Sequence, residues 1–422
     1  MTWLALASRS VSTCLLAVSA SAQIPSVGLA TGDVDRDGFD DVAITSRHTG
    51  STARGGMLHV VSGRTGGRLW SREYVSEGPP RILGVTIVAV GVAEPLVVAA
   101  MRDETTRELR LDLHRGSDGD PLLTHRLCPT ASEYECFLAP MEDVDGDGVV
   151  ELAIARPCFS RVGQFEGRIS VVSLRDGCEL AAIEGGRDRR QLGRQLTVGE
   201  FDREPGLDIA ITAYAGPGPR LSSLDYSVVW LSGRTLSPFF ERYSEGCGTA
   251  IGTSLATCGD VDGDGLDEIA IGALRTLDSD QGVFIAEARI VRAAPGDPLR
   301  TFAVQNAYDD GPFVVALRGS EPSARLTALG TPRADWSSGA WRVFDGQSRV
   351  VGSHVDQTRD WYPIELLAVE SDRDPASRLV VVGARLEDDV HHYLIDLECW
   401  GGPGWQTRSW SYELEPRAAR AR

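Results

Sequence analysis

The 422-residue chain contains no lysine, so all 42 of its basic residues are arginine. That excludes a Schiff-base lysine and the covalent chemistry that needs one. Positive charge is also scarce relative to negative: 42 basic residues face 60 acidic ones, a net charge of −18. A balance of that sign argues against nucleic acid as a partner. Beyond the first 22 residues no long stretch carries a helical period, and no apolar run is long enough to span a membrane.

Catalytic signatures are missing too. There is no His-Glu-x-x-His, no Walker loop and no Gly-x-Ser-x-Gly elbow. The glycine cluster GCGTAIG at 246–252 is not a dinucleotide fingerprint. His391 and His392 open a strand, where alternation sends adjacent rings to opposite faces. No Cys-x-x-Cys or His/Cys spacing suggests zinc. Eight cysteines are present. With Cys14 set aside in the leader, neighbours in sequence pair as Cys128–Cys136, Cys158–Cys178 and Cys247–Cys258, leaving Cys399; buried thiols are the alternative. No Pro/Ser-rich or low-complexity tract divides the chain. The start, MTWLALASRSVSTCLLAVSASA, reads as a secretory signal (1–22) cut before Gln23. The mature chain, 23–422, is then expected to be secreted, periplasmic or at the cell surface.

What the chain does have is one acidic phrase written several times. GDVDGDGLDEIAIGA (259–273) returns as GDVDRDGFDDVAI (32–44), EDVDGDGVVELAI (142–154) and, more weakly, GEFDREPGLDIAI (199–211). Counting from the first acid, carboxylates fall at positions 1, 3, 5 and 9. They are Asp33, Asp35, Asp37 and Asp41; Asp143, Asp145, Asp147 and Glu151; Glu200, Asp202, Glu204 and Asp208; and Asp260, Asp262, Asp264 and Glu268. In three copies a glycine follows position 5 (Gly38, Gly148, Gly265), as a sharp turn requires. The fourth has Pro205 there and two Glu, so its occupancy stays open. Each copy then runs into a hydrophobic-Ala-Ile segment, the pattern of a buried strand.

Two carboxylates about 5 Å apart repel by roughly 3 kcal/mol at an effective dielectric near 20. A hard cation removes the problem. Calcium takes six to eight oxygens in flexible geometry, which alternate carboxylates, a water and one backbone carbonyl supply. The carbonyl is expected from position 7: Phe39, Val149, Gly206 or Leu266. An EF-hand begins the same way but needs a Glu at position 12, where this chain has Ile44, Ile154, Ile211 and Ile271. About three calcium ions, or four with the 200–208 loop, are therefore expected.

The phrase also has a period. Starts at 143, 200 and 260 are about 57 and 60 residues apart, and the gap after 33 leaves room for a degenerate copy, AVGVAEPLVVAAM at 89–101. LRGSEPSARLTALGT (317–331) and ESDRDPASRLVVVGA (370–384) continue the series. The loops then start near 33, 89, 143, 200, 260, 317 and 370. After each comes a hairpin pattern, such as HVVSGRTGGRLW (59–70) or VVWLSGRTLSPFF (228–240). Two strands flanking the loop and two in the hairpin give four-stranded units, and seven of them predict an all-β, seven-bladed β-propeller.

The best copy, IGTSLATCGDVDGDGLDEIAIGA (251–273), resembles the FG-GAP repeat, the blade of the integrin α-subunit propeller. Ile251-Gly252 stands where the family has Phe-Gly, and Gly272-Ala273 begins its Gly-Ala-Pro element but continues with Leu274. The resemblance implies a propeller with structural calcium. It also implies that the loops between blades, and those after each second strand, form the partner-binding face. In this chain those loops are read as carrying Tyr74, Tyr134, Tyr243, Tyr308, Trp361 and Tyr362, with Arg187, Arg189, Arg190 and Arg194 in EGGRDRRQLGR (184–194). Aromatic and Arg residues favour interfaces. Equally, the rings can pack between blades and the arginines form solvated ion pairs. The expected function is a calcium-binding adhesion or binding module for an extracellular protein or glycan. The alternative is a hydrolase or lyase acting on extracellular polysaccharide from the same scaffold.

Overall fold

The computed structural model describes residues 29–47, 55–75, 81–89, 94–103, 106, 108–127, 135–160, 166–186, 189–215, 226–244, 249–278, 283–307, 313–318, 325–331, 340–345, 347–355, 361–369, 378–387, 390–400 and 408–413. The leader at 1–22, Tyr134, Arg187, Tyr308, Cys128 and Cys247 lie outside them. Among the described residues there is no helix. The strands form six antiparallel sheets of four strands and one of five, each built from consecutive chain. Sheets 1 to 7 span 29–75, 81–126, 137–184, 189–243, 249–307, 313–355 and 361–413.

The sheets meet face to face, each first strand touching the first strand of the next. The last, Trp361–Val369, touches Leu29–Gly32 and closes the ring. Among the described residues the first and last sheets are each built from consecutive strands, with none exchanged between them. The chain is a β-propeller.

The hydrophobic-Ala-Ile phrase follows from this stacking. The second strands of sheets 1 to 5 are buried on both faces, and alternation divides their side chains between two neighbouring sheets. In Glu151–Arg156, Leu152 and Ile154 pack with sheet 2 residues such as Val98 and Leu111, while Ala153 and Ala155 pack with Ile209 and Ile211 of sheet 4. In Asp208–Ala215, Ile209 and Ile211 face back and Ala210 faces on to Ile269 and Ile271. The small residue keeps the next sheet close where the ring is narrow.

Glycine does the same on first strands. A Cβ built on Gly84 would lie 2.1 Å from the carbonyl oxygen of Cys136 in sheet 3. The Cys136 amide donates to Leu83 at 3.0 Å in the same contact. Farther out, fourth strands are stitched to the next sheet's hairpin turn. Trp70 Nε1 donates to Gly116 at 2.6 Å, and Arg242 Nη2 to Gly296 at 2.8 Å. His125 Nε2 bonds the Leu174 carbonyl at 2.9 Å.

Several sequence expectations are corrected here. Cys158 and Cys178 cannot bridge. Glu151 pairs with Ser173 and Arg156 with Arg168, so Cys158 and Cys178 lie beyond opposite ends of the strand pair. A strand of that length separates them by about 20 Å, against the 4–7 Å a disulfide allows. Cys178 keeps a free, exposed thiol beside Asp176. Nor are Tyr74, Tyr243, Arg190, Trp361 and Tyr362 in loops. They belong to strands Arg68–Val75, Pro238–Tyr243, Arg189–Arg190 and Trp361–Val369. Arg190 pairs with Tyr214, Trp361 with Arg385 and Tyr362 with Ala384. These pairs sit at the end of their sheets opposite the acidic loops.

Gly84→Ala is expected to force sheets 2 and 3 apart and cost about 1–3 kcal/mol. A thermal melt of the purified variant checks this; an unchanged midpoint would contradict the close packing.

Candidate metal centres

The four acidic phrases lie between the first and second strands of sheets 1, 3, 4 and 5. Three of them gather their carboxylates. Asp143, Asp145, Asp147 and Glu151 each offer an oxygen within 4.8 Å of the others, as do Asp33, Asp35 and Asp37, and Asp260, Asp262 and Glu268. Asp41 and Asp264 stand outside those groups. Glu200, Asp202, Glu204 and Asp208 form no such group.

Backbone amides turn the carboxylates inward in the same way three times. Asp33, Asp143 and Asp260 each accept from the N–H of position 5 and of the glycine after it, at 2.8–3.1 Å. Position 3 accepts from the position-5 N–H at 3.0–3.2 Å. Position 5 accepts from the N–H of Phe39, Val149 or Leu266 at 2.8–3.0 Å. The loop can coil this tightly because positions 4 and 6 are left-handed. Gly146 and Gly148 have φ of 81° and 84°, Gly263 and Gly265 83° and 89°. In sheet 1 Arg36 (62°) and Gly38 (85°) fill the two places.

The fourth loop cannot coil so. Pro205 fixes φ near −65° at a place where the others need about +85°. The chain is instead clasped from both sides: Glu142 Oε1 accepts from Leu207 N at 3.0 Å, and Asp267 Oδ2 from Glu200 N at 3.0 Å. The Asp267 amide in turn donates to the Glu200 carbonyl at 2.7 Å. Neighbouring acids therefore hold this loop alongside its own Asp202, which accepts from Glu204 N at 2.6 Å. Gly206, at φ 116°, sits against Glu142.

Position 9 separates the four sheets into two kinds. Asp41, Glu151, Asp208 and Glu268 are all buried, and one oxygen of each accepts from the loop: from Val34, Val144, Phe201 with Asp202, and Val261. The second oxygen differs. Asp41 takes Gly63 N at 3.2 Å and Asp208 takes Gly233 N at 3.3 Å. Both glycines come from a Ser-Gly-Arg hairpin turn, at 62–64 and 232–234. Sheets 3 and 5 lack that turn, and there Glu151 Oε1 and Glu268 Oε1 are buried with no protein donor. Leaving a buried charged oxygen unpaired costs about 1–3 kcal/mol or more. Asp143, Asp145 and Asp147 gather beside Glu151, and Asp260 and Asp262 beside Glu268, an all-oxygen donor set that could hold a hard divalent ion.

The electrostatics agree. Burial, with neighbouring loop acids adding to it, pushes Asp41, Glu151, Asp208 and Glu268 up to about 7 against partial relief from backbone N–H donors. Burial also raises Asp33.

Of the residues expected on the opposite face, Tyr74 is accounted for by packing: its hydroxyl meets His114 Nε2 at 2.6 Å. Arg189 pairs with Glu241 at 2.9 Å, and Arg194 reaches the Tyr226 hydroxyl at 2.8 Å. These are contacts inside the fold.

No protein-family model and no curated protein matches the chain. Among solved structures it is similar to BBS1N, from the crystal structure of BBS1N in complex with ARL6DN, soaked with lead. Identity there is 15% over 88% of this chain and 93% of that one, with a TM-score of 0.49. It is similar also to the Dos1 propeller, at 10% identity over 85% of this chain and 89% of that one, with a TM-score of 0.48.

For metal-free protein the raised carboxylates fix a sign. Their folded values near 7 exceed their unfolded values near 4, so their contribution is complete below pH 4 and is lost as pH rises through 7. The chelator-stripped chain should therefore melt lower at pH 8 than at pH 5.5, by about 5 °C or more. Saturating calcium should flatten or reverse that slope. Melts across this range, with and without the ion, check it.

Proposed function

We propose that the chain is a seven-bladed, FG-GAP-like propeller whose acidic loops bind calcium as a structural ion, and that it acts as a binding module for an extracellular protein or glycan. The observation that carries the calcium reading is the pair of buried, donorless oxygens, Glu151 Oε1 and Glu268 Oε1, beside converging aspartates. Seven sheets in a ring whose first strands touch support the blade count.

The ion's part is indirect. It ties the turn between the first two strands of a blade to the strand that follows, and the assembled disc presents its other end to a partner. Arg190, Trp361 and Tyr362 stand at that end by strand register. At millimolar calcium and a site constant near 0.1 mM, each ion stabilises the fold by about 1.4 kcal/mol. With three sites filled, the melting midpoint of a chain of this length should rise by roughly 5 °C over the chelated protein. Identical melts would remove the calcium reading.

The binding role has its own test. Chain 23–422 is immobilised in calcium, exposed to secreted and envelope material of its source, washed, and eluted with chelator. A reproducible protein or sugar lost on Trp361→Ala supports the module. An empty eluate from folded, calcium-loaded protein contradicts it.

A further inference from the structure

Each acidic loop shares its end of the sheet with the hairpin turn between the third and fourth strands, because successive antiparallel strands return there. From those turns, arginines reach the loops. Arg64 approaches Asp37 Oδ2 at 3.6 Å, and Arg175 Nε lies 3.2 Å from Asp147 Oδ2 while its Nη2 donates to the Asp147 carbonyl at 2.6 Å. Arg292 pairs with Asp262. These are carboxylates at positions 5, 5 and 3, all members of the three gathered clusters.

The arginines do not share one place in the turn. Arg64 and Arg175 stand three residues past Val61 and Val172, whereas Arg292 stands one residue past Val291, the residues that pair with the equivalent Val42, Leu152 and Ile269. A single inherited position would be explained by turn geometry alone. Reach from different positions to the same kind of target points to the target.

Sheet 2 shows the limiting case. Its loop has lost the acidic phrase, yet Arg115 of its turn still meets Glu94 of the loop at 3.2 Å, together with Asp118 at 3.0 Å and Asp120 at 3.5 Å. The Gly116 amide donates to Pro95 of the same loop at 2.8 Å. Here one guanidinium and one amide join loop to turn with no carboxylate cluster present. In sheet 4 the comparison runs the other way: Arg234 makes no ion pair with Asp202 or Glu204 among the described residues, and it is this loop that neighbouring acids clasp.

We propose that Arg64, Arg175 and Arg292 are built-in counter-cations of the metal loops. They hold each loop near its binding shape before an ion arrives, and they lower its affinity for calcium. This rests on the calcium reading above. The physics is simple. Four carboxylates in one loop carry four negative charges; the arginine removes one, and a divalent ion two more. The guanidinium offsets part of the repulsion in the ion-free loop, and it repels the incoming ion from just outside the cluster. A guanidinium is suited to this because it is always charged and spans a carboxylate and a carbonyl together, as Arg175 does.

The test is calorimetric titration of calcium chloride into chelator-stripped protein at low salt, for the wild type, Arg175→Gln, Arg292→Gln and, as a control, Arg234→Gln. Arg175→Gln and Arg292→Gln should each tighten one site by about three- to tenfold, and the gain should shrink in 0.5 M salt. Both variants should also melt lower than wild type in chelator. Arg234→Gln should leave all affinities unchanged. Unchanged or weakened calcium binding in Arg175→Gln and Arg292→Gln would overturn the inference while leaving the calcium reading intact. Absence of calcium uptake by the wild type would instead remove the reading beneath it.

Discussion

A carboxylate buried at the start of each second strand is the constraint around which the acid-bearing sheets are built. Asp41, Glu151, Asp208 and Glu268 enter the core because the strand they open is covered on both faces. Once there, each must find donors for two oxygens. One oxygen always caps the first turn of the loop, and the other decides the character of the sheet. Where a Ser-Gly-Arg turn brings an amide within reach, the fold satisfies the acid itself. Where the residue is Glu and no such turn exists, an oxygen is left buried with no donor from the protein.

That difference orders the four loops. Sheets 3 and 5 have the donorless Glu, the glycine pair and the gathered aspartates together. Sheet 1 has the gathered aspartates, but its Asp41 is already satisfied by Val34 and Gly63. Sheet 4 keeps four acids in sequence and loses the coil through Pro205, and Glu142 and Asp267 clasp its loop from both sides. Acid content alone does not rank them; backbone conformation at two positions and one hairpin amide do.

Much of this was legible in the chain. Alternation in Leu-Ala-Ile-Ala or Ile-Ala-Ile-Thr carries both faces of a strand at once, and the glycine after position 5 marks a sharp turn, whereas the left-handed residue at position 4, Arg36 in sheet 1, emerged only from the backbone. The proline at 205 was visible as a departure, though the clasp from Glu142 and Asp267 was not, since it joins residues about 60 positions apart. The partner of Asp41 is hidden in the same way, 22 residues on at Gly63. The disulfide proposed between Cys158 and Cys178 failed because nearness in sequence ignores strand direction. The loop placement of the aromatics failed for a related reason: Tyr74 and Trp361 border turns in sequence, but ladder pairing extends far enough to draw both into strands.

The most direct measurement is a metal count. Chain 23–422 is dialysed against buffered millimolar calcium, freed of unbound ion, and analysed by mass spectrometry of the elements. The account predicts three calcium ions per chain, falling to two in Glu151→Gln. A folded protein that retains none, or one whose count is unmoved by that substitution, would contradict it.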